Sequence, residues 1–176
     1  VDGVQKSTDQ FVLYRSDTKD ALSVVSGRYQ PVQPAEIFEF YEDITKTYDF
    51  KMETAGSLDG GKRIWCLAAV GQEFAIQGQD RVRNYVLLAT SFDKTMATRA
   101  QFTSVRVVCN NTLSYAVGSG ESYVSISHAT KFDQVQLKVD LGLETKGGLE
   151  RFENEVNEIA KRKVSNKEAI RFLVDI

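Results

Sequence analysis

The pattern of apolar and polar positions changes several times along the chain, and each change marks an element. Phe11 to Arg15 and Leu22 to Val25 are short β-prone runs on either side of the polar Ser16-Asp17-Thr18-Lys19-Asp20, the pattern of a hairpin. Pro34 suits a first helical position. Ile37, Phe38, Tyr41, Ile44 and Tyr48 then recur at helical spacing while Glu36, Glu39, Glu42 and Asp43 crowd the other side, which predicts a helix with one face on a sheet. An extended run from Phe50 to Ser57, an Asp59-Gly60-Gly61 turn and a near-continuous apolar run within Lys62 to Val70 predict a central hairpin buried on both faces. Arg83 to Ser91 and Thr95 to Thr103, joined at Phe92-Asp93-Lys94, predict a second pair, with the polar stretch Gly71 to Gln79 as the loop between the two pairs.

Beyond Thr103 the period lengthens. Val105, Val108, Cys109, Thr112, Leu113 and Ala116 fit one face of a helix over 105–117, closed by Gly118-Ser119-Gly120, and Tyr123 to Ser127 alternates as a strand. Phe132, Val135, Val139 and Leu143 restart a helical period, Gly147-Gly148 interrupts it, and Leu149, Phe152, Val156 and Ile159 continue it. Ser165 and Glu168 have the spacing of a capping box ahead of Ala169, Ile170, Leu173 and Ile176. The fold class is α+β: a mostly antiparallel sheet built of hairpins, one early helix packed on it, and helices toward the C-terminus. Residues 1–10 are expected to be a flexible arm and 11–176 a single domain. The chain opens on Val1 and Ile176 falls inside an amphipathic period, so a piece of a longer protein is expected.

Composition narrows the function. With 176 residues, 42% of them hydrophobic and 26% charged, the chain has the makings of one packed core, and no apolar run approaches the ~20 residues that span a bilayer. His128 is the only histidine, which excludes a site built on several, and Cys66 and Cys109 make neither a disulfide framework nor a zinc pattern, as suits a reducing cytoplasmic setting. The spacings that announce a phosphate-binding loop, a dinucleotide fold, a nucleophile elbow or a zinc protease are absent from the sequence. These exclusions lead to a non-enzymatic binding or assembly domain with no cofactor, no metal and no membrane partner.

The formal net charge of -2 hides an uneven distribution. Residues 1–59 hold 6 Lys+Arg against 11 Asp+Glu, residues 60–131 hold 8 against 4, and residues 132–176 hold 8 against 9. In the basic middle, Lys62, Arg63, Arg81, Arg83, Lys94, Arg99 and Arg106 are interleaved with Tyr85 and Phe92. Cations that neutralise phosphates beside rings that stack bases are the requirement for single-stranded nucleic acid, so these residues with Arg28, Asn110 and Asn111 form the candidate nucleic-acid site. By helical spacing Arg106 falls beside Cys109 and Asn110, where its guanidinium can grip a phosphate; a buried polar network of Arg and Asn gives the same string. Nothing near Cys109 in sequence lowers its pKa, which argues against a nucleophile. The acidic helix face from Glu36 to Asp43 supports a different expectation, a module that holds a host protein.

The densest unusual cluster is Phe102-Thr103-Ser104-Val105-Arg106-Val107-Val108-Cys109-Asn110-Asn111-Thr112-Leu113, preceded by Thr90-Ser91-Phe92-Asp93 and Ala97-Thr98-Arg99. With Leu22 to Gln30, Val32 to Glu36, Glu53 to Leu58 and Gly61 to Trp65, it resembles the phage/plasmid-like family of unknown function found in prophages, conjugative plasmids and phages. The resemblance covers about Phe11 to Leu143. Ser104 stands where many relatives carry proline, and Phe92-Asp93-Lys94 replaces a His-Asp-Gly turn, so a catalytic role for that turn is not expected here. What the resemblance implies is a setting: the cytoplasm of a bacterial host, beside genes for recombination, replication and anti-restriction. A sheet with a helix packed on it is also compatible with single-strand annealing proteins, and an oligomer would suit that activity.

Overall fold

The computed structural model describes residues 9–76, 78, 80–119, 123–143 and 147–174, and shows a mixed α+β fold whose sheets are antiparallel throughout those residues. Strands β1 (Gln10–Tyr14) and β2 (Ala21–Ser26) form the first hairpin. Of the expected N-terminal arm, residues 1–8 lie outside the described residues, while Gln10 already pairs with Ser26. The main sheet runs β3-β4-β5-β6-β7, from Lys51–Leu58, Arg63–Ile76, Asp80–Ser91, Thr98–Thr103 and Val124–Ile126.

Helix α1 (Pro34–Tyr48) starts where Pro34 presets φ, and the Gln33 amide donates to Glu36 Oε2 at 2.7 Å. It buries Ile37, Phe40, Tyr41 and Ile44 against Cys66, Ala68, Val86 and Leu88 of β4 and β5. Phe38, expected on that face, is instead 53% exposed. One step of a helix is 100°, so Phe40, three residues after Ile37, takes the inward position.

Two further expectations are corrected. The stretch from Gly71 is not a loop: β4 continues to Ile76, pairing Glu73 with Arg83 and Phe74 with Val82 beyond an irregularity between Ala69 and Glu73. Its polar composition concealed the alternation of Phe74 and Ile76, and Gln79 lies outside the described residues. The helix expected from Val105 begins only at Asn110. Helix α2 spans Asn110–Ser119, and residues 105–109 are irregular chain that carries Val107 into the core. Gly118 and Ser119 belong to the helix, and Gly120 lies outside the described residues.

Helix α3 (Gln134–Leu141) turns Leu137 and Leu141 inward and leaves Val135 and Val139 exposed, the reverse of the expected face. Asp133 caps it, its Oδ1 accepting from the amides of Val135 and Gln136. Gly147 and Gly148 do not interrupt a helix but open α4 (Gly147–Lys161). Before α5 (Asn166–Val174) the expected capping box is formed, with Glu168 Oε2 accepting from the Ser165 amide at 2.9 Å and the Glu168 amide donating to Ser165 Oγ at 3.3 Å. One face of the sheet thus carries α1, α3 and α4, and the other carries α2 over Trp65, Leu67, Tyr85 and Leu87. No helix among the described residues is long and apolar enough to cross a membrane.

Candidate nucleic-acid interface

Side chains of successive strand residues point to opposite faces, so register fixes which cations share a side. Arg63 continues the row of Trp65 and Leu67 on β4, Arg81 and Arg83 continue the row of Tyr85, Leu87 and Ala89 on β5, and Arg99 on β6 is paired with Ala89. All four therefore stand on the side of the sheet that α2 covers. The irregular chain leading into α2 adds Arg106, and its first turn adds exposed Asn110 and Asn111.

Helix α2 is pinned to this face at both ends. At its start the Leu113 amide donates to the Cys109 carbonyl, and Thr112 Oγ1 accepts from the amides of Val108 and Cys109 at 2.9 and 3.0 Å. Arg63 Nη1 donates to Asn110 Oδ1 at 3.2 Å, tying β4 to the same end. At the other end the buried Gln101 donates Nε2 to the Ala116 carbonyl at 2.7 Å, and Arg99 Nη1 donates to the Val117 carbonyl at 3.3 Å. A cation beside the last carbonyls of a helix also interacts favourably with the helix dipole. Arg99 lies 4.3 Å from the centroid of the Tyr123 ring, which is 44% exposed.

Arg83 and Arg106 have acidic neighbours that composition alone did not expose. Arg106 Nε donates to Glu53 Oε1 at 2.9 Å, and Arg83 Nε to Glu73 Oε1 at 3.2 Å. Arg83 is held above its ordinary pKa first by Glu73 and more weakly by Tyr85 and Glu53, so Arg83 and Arg106 both feel the Glu53 carboxylate. These pairs are solvent-exposed on the arginine side, where water screens the attraction and the ion pair holds its partners weakly.

Several expected members fall elsewhere. Tyr85 and Phe92 are 4% and 7% exposed, so their faces are taken up by the core and no base can stack on them; Tyr115 and Tyr123 are the exposed rings near α2. Lys62 is exposed in the turn before β4. Arg28 and Lys94 lie apart from α2, lining a notch with His128 at the end of the sheet. The two thiols also diverge. Burial pushes Cys66 up to about 12, whereas exposed Cys109 is drawn below the ordinary thiol value by hydrogen bonding from the Thr112 hydroxyl and then its amide, so a residue three positions along the chain supplies what the sequence reading did not find. The described residues contain no group of three His, Cys, Asp or Glu side chains placed to hold a metal ion.

No curated protein and no solved structure matches the chain. A family model does match, over residues 21–176, which is all of the chain from β2 onward. The chain belongs to the uncharacterised family described as Domain of unknown function (DUF932).

Proposed function

We propose that the chain is a non-enzymatic protein of a phage or other mobile element that binds single-stranded DNA in recombination or annealing, as an oligomer in the bacterial cytoplasm. The observation that supports this is the shared side of Arg63, Arg81, Arg83, Arg99 and Arg106 around α2, with Asn110, Asn111, Tyr115 and Tyr123 exposed among them. Cations there meet phosphates, amides offer hydrogen bonds to bases or backbone, and the two tyrosines offer faces for stacking. The test is fluorescence anisotropy of labelled single- and double-stranded oligonucleotides at low and moderate salt, with the Arg83→Gln, Arg106→Gln double variant alongside. Single-strand preference that falls with salt and drops in the variant is the expected result. Equal binding by the variant, or no binding at low salt, rejects the reading.

One observation favours a second reading, a module that holds a host defence or restriction protein. Phe38 stands exposed on α1, one turn before Glu42, and lines a cleft of about 620 Å³ between that helix and the first hairpin. An exposed apolar anchor beside a cleft, on a helix whose polar face is acidic, suits a basic protein partner. Under that reading Phe38→Ala abolishes partner binding and leaves oligonucleotide anisotropy unchanged.

A further inference from the structure

The notch at the end of the sheet has a chemistry that neither reading uses. It measures about 410 Å³ and is lined by Arg28, Lys94 and His128, with the hydroxyl residues Ser26, Ser125 and Ser127 between them; no carboxylate is among its lining residues. A concavity with two permanent cations, an imidazole and no acid among its lining residues has the composition that suits an anion.

Its wall is built. The Tyr29 and His128 rings stack at 4.7 Å with 21° between their planes. Each is fixed at its polar end to the main chain around the β5–β6 connection, the Tyr29 hydroxyl donating to the Ser91 carbonyl at 3.0 Å and His128 Nε2 meeting the Met96 carbonyl at 3.2 Å. The Gln30 amide donates to the His128 carbonyl, tying the exit of β2 to the exit of β7. Arg28 and Lys94, far apart in sequence, are thus delivered to one opening, and Lys94 holds a left-handed φ of 67° to get there. Burial, then the Asp93 charge, pushes Tyr29 up to about 12, so it adds no negative charge. Asp93 itself accepts from the Thr95 amide and hydroxyl rather than lining the notch. His128 Nδ1 is buried with no hydrogen-bond partner among the described residues.

We propose that this notch binds a phosphomonoester. Such a group carries about 1.5–2 negative charges at neutral pH and three strongly accepting oxygens, which match a forked guanidinium, an ammonium and a set of hydroxyls. The shared chemistry has two sources, the terminal phosphate of a nucleic-acid strand and the phosphate of a free nucleotide. Only the first depends on the DNA-binding reading.

The test has two arms. Amide NMR spectra of the full chain are recorded with thymidine 5′-monophosphate and, as control, thymidine. The nucleotide is expected to move amides of residues 26–29, 94–97 and 125–129, the nucleoside is not, and the Arg28→Gln, Lys94→Asn double variant is expected to lose the response. Asparagine tolerates the left-handed φ at 94, so that variant removes charge without adding strain. In the second arm, 5′-phosphorylated and 5′-hydroxyl oligothymidylate are compared by anisotropy. A gain of about tenfold from the terminal phosphate, lost in the double variant, assigns the notch to strand ends. A nucleotide response with no end-group effect assigns it to a free phosphomonoester. A nucleotide response with no oligonucleotide binding keeps the notch and rejects the DNA reading. Oligonucleotide binding that ignores the end group, together with silence toward the nucleotide, overturns the notch.

Discussion

Single atoms decide several properties of this chain. The Tyr41 hydroxyl lies fully buried under α1 within reach of the Cys66 carbonyl at 2.6 Å and the Val86 carbonyl at 3.0 Å, so it clamps the helix to two neighbouring strands with one proton. Replacing Tyr41 with Phe keeps the ring packing and removes the donor, and a stability loss of about 1 kcal/mol is expected in urea denaturation. A loss no larger than that of a surface substitution would mean that the hydroxyl contributes nothing. The two thiols give a second residue-scale outcome. An alkylating reagent acts on thiolate, so Cys109, exposed and lowered by Thr112, is expected to react first in the native protein, while Cys66, buried and raised to about 12, is expected to react only on unfolding. Mass spectrometry of partly alkylated native protein reads the order directly, and Thr112→Val is expected to move the onset of Cys109 labelling to higher pH. The apolar run around Trp65 made burial there legible, but the difference between the thiols depends both on the burial of Cys66 and on the Thr112 hydroxyl beside Cys109, and the second is invisible to apolar spacing.

At the scale of elements, α3 meets α4 main chain to main chain. Gly142 ends α3 with a left-handed φ of 70°, and a Cβ added at Gly148 would lie 1.8 Å from the Leu141 carbonyl oxygen and 2.8 Å from Phe102 Cε2. Main chain against main chain has no rotamer to relieve it. Gly148→Ala is therefore expected to cost more than about 2 kcal/mol, measured as a shifted denaturation midpoint, whereas Gly118→Ala, with open space around it, is expected to be neutral or stabilising. The glycine pair read from the sequence as a break is where a helix begins, because the glycines serve proximity rather than flexibility. The hairpins, α1 and the capping box before α5 were legible because their signals are local. What failed to show was inward direction on short helices such as α3, where apolar residues at two spacings, Val135-Val139 and Leu137-Leu141, compete and only the neighbouring sheet chooses between them.

At the scale of the whole molecule, the balance of charge matters less than its arrangement. If four of the arginines around α2 neutralise phosphates of a single strand, the logarithm of the binding constant is expected to fall with the logarithm of salt concentration at a slope of about -3, and removing two of them is expected to flatten it by about 1.4. A slope near zero in the parent chain would place the binding outside phosphate chemistry. The sequence exposed the cations but not their counter-charges, since Glu73 meets Arg83 only because β4 runs past Val70, and Glu53 meets Arg106 only because the chain before α2 crosses back over β3. The way the first hairpin docks has a consequence of its own. Arg15, Ser23 and Tyr29 supply the donors, and the acceptors are the main-chain carbonyls of Gly60, Phe92 and Ser91. The acceptors belong to the main chain and the donors to side chains, so the latch is lost by replacing a donor residue on the hairpin side and cannot be lost by removing a side chain's acceptor on the receiving side.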